Sequence, residues 1–254
     1  MAAPIAVQLY TVREALAQDF EGVVRKIAEM GYLGVETASF PGTTPKQAAQ
    51  LFDELELTVC SAHAPLPIGP KQNEVLDLVA ALNCKRLVCP ALDRNYYSSV
   101  DKIYRACDLL NEAHQVVVDN GLSLGVHNHW WEYEPVEGQY PYEIMMDRLD
   151  PAIFMEIDTY WVRVAGLDPV EIVKKWGQRA PLLHIKDGPA IQGFAHLAVG
   201  EGIIDIVGVV EAGQNVTEWL IVELDACDTD MLEAVEDSYA YMVSNGFAEG
   251  RKAV

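Results

Sequence analysis

The chain has no uninterrupted apolar run of the roughly 18–20 residues that a membrane span needs. Residues 1–8 show no basic stretch followed by an apolar block and a small-residue cleavage site, so no signal peptide is read there. Basic residues are scarce. Lys and Arg total 18 against 38 Asp and Glu, for a formal net charge of −20. Such a field repels phosphate backbones and anionic membrane surfaces, which argues against nucleic acid or membrane partners. The five cysteines form no CxxC pair, and their number is odd, so neither a zinc knuckle nor a disulfide framework is read. Reduced thiols and a cytoplasmic setting are the expectation. No GxGxxG follows the first strand, and no GxxxxGK[ST] cradle or arginine cluster offers a phosphate site.

What is present is a regular alternation. Short β-branched runs at 5–9, 34–36, 58–62, 86–89, 123–127, 153–158, 182–185 and 219–223 are each followed by a helical-period stretch. Those stretches fall near 20–30, 45–55, 73–82, 100–120, 142–149, 170–176, 203–212 and 231–245. Gly31 and Gly121 close two of them, and Pro45 opens one, with Thr43 or Thr44 as its cap. Strands separated by helices run parallel with right-handed crossovers, and eight such units close a sheet into a barrel. The expectation is an α/β protein, a single-domain (β/α)8 TIM barrel over residues 1–254, with half its residues apolar and able to build a full core.

Active sites of such barrels gather where strands end. Glu36, His63, His127, Asn128, His129, Asp158, His184, Lys186, Asp187 and Glu223 all fall at or just past expected strand exits, with Glu132 slightly beyond. Carboxylates within apolar strand ends are expensive to bury unless paired or metal-bound. Imidazoles and carboxylates converging on one mouth suit a divalent cation. Each residue also has a plainer use. Asp158 can cap a helical turn, Glu223 can pair with a lysine, and His184 can be a hydrogen-bonded core histidine. His63 can shape its loop, and Glu36 can form a salt bridge. Trp130, Trp131 and Trp161 fit either a sugar platform or lid packing.

The same residues carry a likeness. The chain resembles the xylose isomerase-like barrel superfamily, which includes sugar phosphate isomerases/epimerases, inosose dehydratase and endonuclease IV. The resemblance rests on Gln8-Leu9-Tyr10-Thr11-Val12-Arg13, Ser61-Ala62-His63-Ala64-Pro65 and His127-Asn128-His129-Trp130-Trp131-Glu132-Tyr133. It continues through Asp158-Thr159-Tyr160-Trp161, His184-Ile185-Lys186-Asp187-Gly188, Gly200-Glu201-Gly202-Ile203-Ile204-Asp205 and Val222-Glu223-Leu224-Asp225. It implies one divalent metal held by a residue from each of strands five to eight. The last three are Asp158, His184 and Glu223. The first is usually a glutamate, and here His127 stands in that place, with Glu132 as the alternative donor. Trp161 replaces the histidine of the Asp-x-x-His that feeds a multi-metal cluster in endonuclease-like members, which argues for one metal and against DNA cleavage. Oxygen and nitrogen ligation suits manganese, magnesium, zinc and cobalt alike.

The implied activity is isomerisation or epimerisation of a small sugar or polyol by proton transfer beside a carbonyl. Glu223 is the candidate base as well as a ligand. His129, Glu132 and Lys186 are candidates for returning the proton, while Glu36, His63, Asn128 and Trp161 are candidates for binding substrate. Elimination or hydrolysis of a keto-sugar or keto-inositol is the second reading, since His127 disturbs the two-glutamate scheme. A sugar-binding barrel without turnover is the third. An unphosphorylated sugar suits the acidic chain, and barrels of this kind often form homodimers.

Overall fold

The computed structural model describes residues 2–251; Met1 and residues 252–254, at the ends of the expected domain, lie outside it. Eight parallel strands close on themselves: β1 (Ala3–Gln8), β2 (Gly34–Thr37), β3 (Thr58–His63), β4 (Arg86–Cys89), β5 (Ser123–His127), β6 (Phe154–Asp158), β7 (Leu182–Ile185) and β8 (Trp219–Val222). Each pairs with its neighbours in sequence, and β1 closes the ring against both β2 and β8. The chain folds as a single-domain (β/α)8 TIM barrel.

Local chemistry sets the helices between them. After α1 (Arg13–Gln18), Asp19 caps α2 (Phe20–Met30), which ends on Gly31 in the left-handed region. Thr44 caps α3 (Pro45–Glu54) in a capping box with Gln47, and Pro45 occupies the first turn. The order continues with α4 (Gln72–Ala81), α5 (Val100–Asp119), α6 (Pro141–Arg148), α7 (Thr159–Val164), α8 (Pro169–Trp176), α9 (Ile206–Gly213) and α10 (Met231–Ser244). A last two-residue strand, β9 (Ala248–Glu249), adds to the outer edge of β1. None of the helices is long and apolar enough to cross a membrane among the described residues. All five cysteines are free.

The main core lies between strands and helices. Inside the barrel a smaller apolar plug of Ala6, Cys60, Val88, Phe154, Leu182 and Ile221 fills the floor. Gly125 makes room for it, since a Cβ there would stand 2.2 Å from the Phe154 ring. Above the plug the interior turns polar. Side chains alternate along a strand, so Phe154, Glu156 and Asp158 on β6 share one face, as do Leu182 and His184 on β7. The floor therefore forces the next inward layer of both strands to carry the chemistry.

Candidate active site and metal centre

Nearly the whole expected constellation meets in that upper layer. Glu36, Glu156, Asp158, His184 and Lys186 are at most 1% exposed, and His127 and Glu223 at most 5%. One ligand atom from each of His127, Asp158, His184 and Glu223 lies within 4.8 Å of the others. Four carboxylates against one ammonium leave three negative charges when the imidazoles are neutral. Buried charge of that size is very costly without partners.

The partners form a closed circuit. Lys186 Nζ lies 2.9 Å from Asp158 Oδ2, 2.7 Å from Glu223 Oε2 and 2.9 Å from Asp225 Oδ2, the last at the solvent side. His184 bridges Glu223 through Nδ1 at 2.7 Å and Glu36 through Nε2 at 2.7 Å. His63 Nε2 lies 3.2 Å from Glu36 and 2.7 Å from Glu156. His127 Nδ1 lies 3.1 Å from Glu156, and its Nε2 faces Asp158 Oδ2 at 3.7 Å.

Proton affinities follow from this crowding. Burial opposes charge on His63, but Glu36 and Glu156 outweigh it and push the imidazole up to about 10. His184 rises well above its ordinary value for the same reason, against the same burial. Burial raises Glu223, yet Lys186 and His184 prevail and hold it well below the usual carboxylate range. Burial lowers Lys186, but Asp158, Glu223 and Asp225 keep it a firm cation.

Asp158 fills two of its readings at once. Its Oδ1 accepts the Trp161 backbone N–H at 3.0 Å, capping α7. Its Oδ2 is buried and accepts no hydrogen bond among the described residues; Lys186 lies close as an ion pair but out of hydrogen-bond alignment. An orphaned carboxylate oxygen beside two imidazole nitrogens and a second carboxylate fits a divalent cation by donor chemistry.

Other expected residues are placed differently. Asn128 has its amide on the β6 backbone: Oδ1 accepts from Asp158 N at 2.9 Å, and Nδ2 donates to Asp158 O at 3.2 Å. Glu132 stands apart from the circuit. Its Oε2 accepts the His129 backbone N–H at 2.8 Å, and burial raises its carboxyl to about 7. Glu36 and His63 lie toward the barrel floor. His129 stacks on Trp131 with ring centroids 4.1 Å apart, and burial, with His127 and Lys186 adding, pushes it down to about 2. A neutral imidazole there is an acceptor for a hydroxyl. Trp130, Trp131 and Trp161 form one aromatic wall beside it. Lys186 Nζ lies 5.3 Å from the centroid of the Trp161 ring.

Sequence reasoning missed Glu156, Gln8, Ser61 and Asp225. Glu156 was within reach, because period-two alternation backward from Asp158 lands on it. Gln8 and Ser61 donate to Glu36 at 2.6 Å each, contacts between strands that the sequence does not order. Asp187 is a loop pin: its carboxylate accepts the N–H groups of Gly188, Gly200 and Ile204.

A family model described as xylose isomerase-like TIM barrel matches residues 24–242. No curated protein matches the chain significantly. Among solved structures, a sugar phosphate isomerase/epimerase from Parabacteroides distasonis is 22% identical, with a TM-score of 0.83 over 98% of this chain and 96% of that one. The "probable 3-DHS dehydratase AsbF" of Bacillus anthracis is 10% identical, with a TM-score of 0.76 over 96% and 99%. The IOLI protein, whose structure carries a zinc atom, is 15% identical, with a TM-score of 0.71 over 98% and 100%. At these identities the likeness is one of fold.

Proposed function

This chain belongs to the xylose isomerase-like TIM barrel family, and on that premise we propose that it is a divalent-metal-dependent isomerase or epimerase of a small, unphosphorylated sugar or polyol. The observation that carries the reading is the convergence of His127, Asp158, His184 and Glu223 within 4.8 Å at the barrel mouth. Those four residues would hold the cation. When bound, it would supply Lewis acidity to a carbonyl oxygen and the hydroxyl on the adjacent carbon, easing loss of the proton on that hydroxyl-bearing carbon.

The chain's own residues do the rest. Glu223 takes the proton, and its low proton affinity is set by Lys186 at 2.7 Å. Moving that ammonium toward a substrate oxygen would raise Glu223 toward a working base. Lys186, firmly protonated, is the matching donor. Neutral His129 accepts a hydroxyl hydrogen bond, and Trp161 offers an aromatic face to the sugar's C–H surface. At the mouth, Arg13 is engaged by the carbonyls of Tyr10 and Asp225 and so is not free for a phosphate.

One observation favours a second reading, elimination or hydrolysis of a keto-sugar or keto-inositol. Epimerisation calls for a proton-transfer group on each face of the carbon, and β5 offers His127 where the family resemblance implies a glutamate. The test is exchange of the α-proton in deuterated water across a ketohexose and keto-sugar panel, with elemental analysis alongside. Metal-dependent label uptake with the sugar retained supports the first reading, and uptake with product loss supports the second. No uptake from protein of full metal content would leave only a binding role.

A further inference from the structure

Two groups of ligand-bearing side chains sit one above the other in the barrel: His127, Asp158, His184 and Glu223 toward the mouth, and His63, His127, Glu156 and His184 toward the floor. They share two imidazoles but draw on opposite nitrogens of each. His127 turns Nε2 to Asp158 and Nδ1 to Glu156. His184 turns Nδ1 to Glu223 and Nε2 to Glu36 and Glu156. A neutral imidazole has one lone pair and one N–H, so each ring serves a cation on one side only and donates a proton on the other.

Spacing separates the two sides of His127; His184 lies 2.7 Å from a carboxylate on each side, Glu223 Oε2 and Glu36 Oε2, and its floor side is set by the clamp on Glu36. The floor-side contacts of these two rings, 3.1 Å for His127 and 2.7 Å for His184, are hydrogen-bond distances that a proton fills. At the mouth, His127 Nε2 is 3.7 Å from Asp158 Oδ2, too long for a hydrogen bond. Glu36 is itself clamped, with Gln8 Nε2 donating to Oε2 and Ser61 Oγ donating to Oε1. Glu156 Oε2 faces three imidazoles, whereas its Oε1 has no hydrogen-bond partner among the described residues.

We propose that Glu156 and Glu36 are positioning residues. They accept the Nδ1–H of His127 and the Nε2–H of His184, fix both tautomers, and aim His127 Nε2 and His184 Nδ1 at a cation in the mouth group. His63, stacked 5.6 Å from His184 between the two carboxylates, is a counter-charge on the floor and not a ligand. Carboxylates behind ligating imidazoles orient the rings and raise their basicity. This inference rests on the metal-dependent reading above.

The test is titration with cobalt(II), followed by its ligand-field absorption, which reports coordination without turnover. Wild type, Glu156→Gln, Glu156→Leu, Glu36→Gln and His63→Leu are compared, with circular dichroism reporting the fold. The Leu variant should bind roughly 10–100-fold more weakly with an altered spectrum, and the Gln variants, which keep an acceptor oxygen, should fall between it and wild type. Should Glu156→Leu fail to fold, the two Gln variants carry the comparison. His63→Leu should keep the wild-type spectrum. Wild-type affinity and spectrum in the folded Glu156 and Glu36 variants would overturn the assignment, as would loss of cobalt binding in a folded His63→Leu, which would place the ion in the floor group. A wild-type protein that takes up no cobalt, manganese, magnesium or zinc would instead overturn the functional reading itself.

Discussion

Asp158 divides its two oxygens between a structural task and a chemical one, and substitution can separate them. Asparagine keeps an acceptor for the Trp161 N–H that Oδ1 now receives, whereas alanine loses it. Removing an N-cap costs about 1 kcal/mol, or roughly 2–4 °C in a domain of this size. Asp158→Ala should therefore melt about that far below Asp158→Asn, while both lose metal in elemental analysis. Equal melting temperatures would deny the cap, and full metal content in either variant would deny the ligand. Glu132 makes a second case. Its carboxyl is raised from 4.5 to about 7 by burial, so between those values the unfolded chain has released a proton that the folded chain retains. Stability from this group is complete below pH 4.5 and falls as pH rises through 7, by about 3 kcal/mol. Glu132→Gln should flatten that decline in urea midpoints measured from pH 4.5 to 7.5; an unchanged slope would reject it. At this scale the sequence was legible wherever a reactive side chain closed a strand, as at His127, Asp158, His184 and Glu223. It was silent on which oxygen or nitrogen serves which neighbour. That depends on strand register, such as the bulge between Val35 and Glu36 that brings Ser61 opposite Glu36.

The strands were the most readable elements, because parallel strands covered on both faces are short apolar runs between turn residues. Three of them, Arg86–Cys89, Ser123–His127 and Leu182–Ile185, fall where the pattern puts them, and Gly34–Thr37, Thr58–His63, Phe154–Asp158 and Trp219–Val222 differ by one residue at one end. The added pieces, α1, α7 and β9, are too short to show a period; β9 exists only because the Ala3 end of β1 offers it an edge. Helix α9 begins at Ile206, three residues later than the apolar run suggests, and Asp187 accounts for the delay. Its carboxylate accepts the N–H of Ile204, inside the stretch expected to start the helix, along with those of Gly188 and Gly200 before it, and Asp205 then caps the first turn by accepting the Gly208 N–H. Asp187→Ala leaves all three without that acceptor in a buried setting, at a cost on the order of 3–5 kcal/mol. Equilibrium denaturation should show that loss, and limited proteolysis should cut first between 188 and 205. A variant as stable and as protease-resistant as wild type would show the pin to be dispensable.

At the level of the whole molecule, the chain combines a net charge of −20 with a buried circuit in which the carboxylates of Glu36, Glu156, Asp158 and Glu223 outnumber the Lys186 ammonium and the two imidazoles, His63 and His184, whose proton affinity they raise. Folding gathers these charges while the solvent that screened them is expelled, so the apo barrel bears a strain that hydrophobic burial must offset. A divalent cation at the mouth relieves it from within, because it binds the assembled site and has little affinity for ligands scattered from residue 127 to residue 223. Binding to the folded state alone stabilises by RT ln(1 + [L]/Kd), about 2.7 kcal/mol at a concentration 100-fold above Kd. For a domain of this size that is a rise of roughly 5–10 °C in the unfolding midpoint. Salt at matched ionic strength screens the surface charge but cannot reach the buried circuit, so sodium chloride should give a smaller rise than the cation. Thermal unfolding of chelator-treated protein, with manganese, magnesium, zinc or cobalt added back and with Asp158→Asn as the control, separates the two effects. A rise specific to one or more of these cations and absent from Asp158→Asn is expected. A midpoint that sodium chloride moves as far as any of the four, in both proteins, would mean that the buried carboxylates are balanced by their own lysine and histidines and that the mouth is not built around a metal.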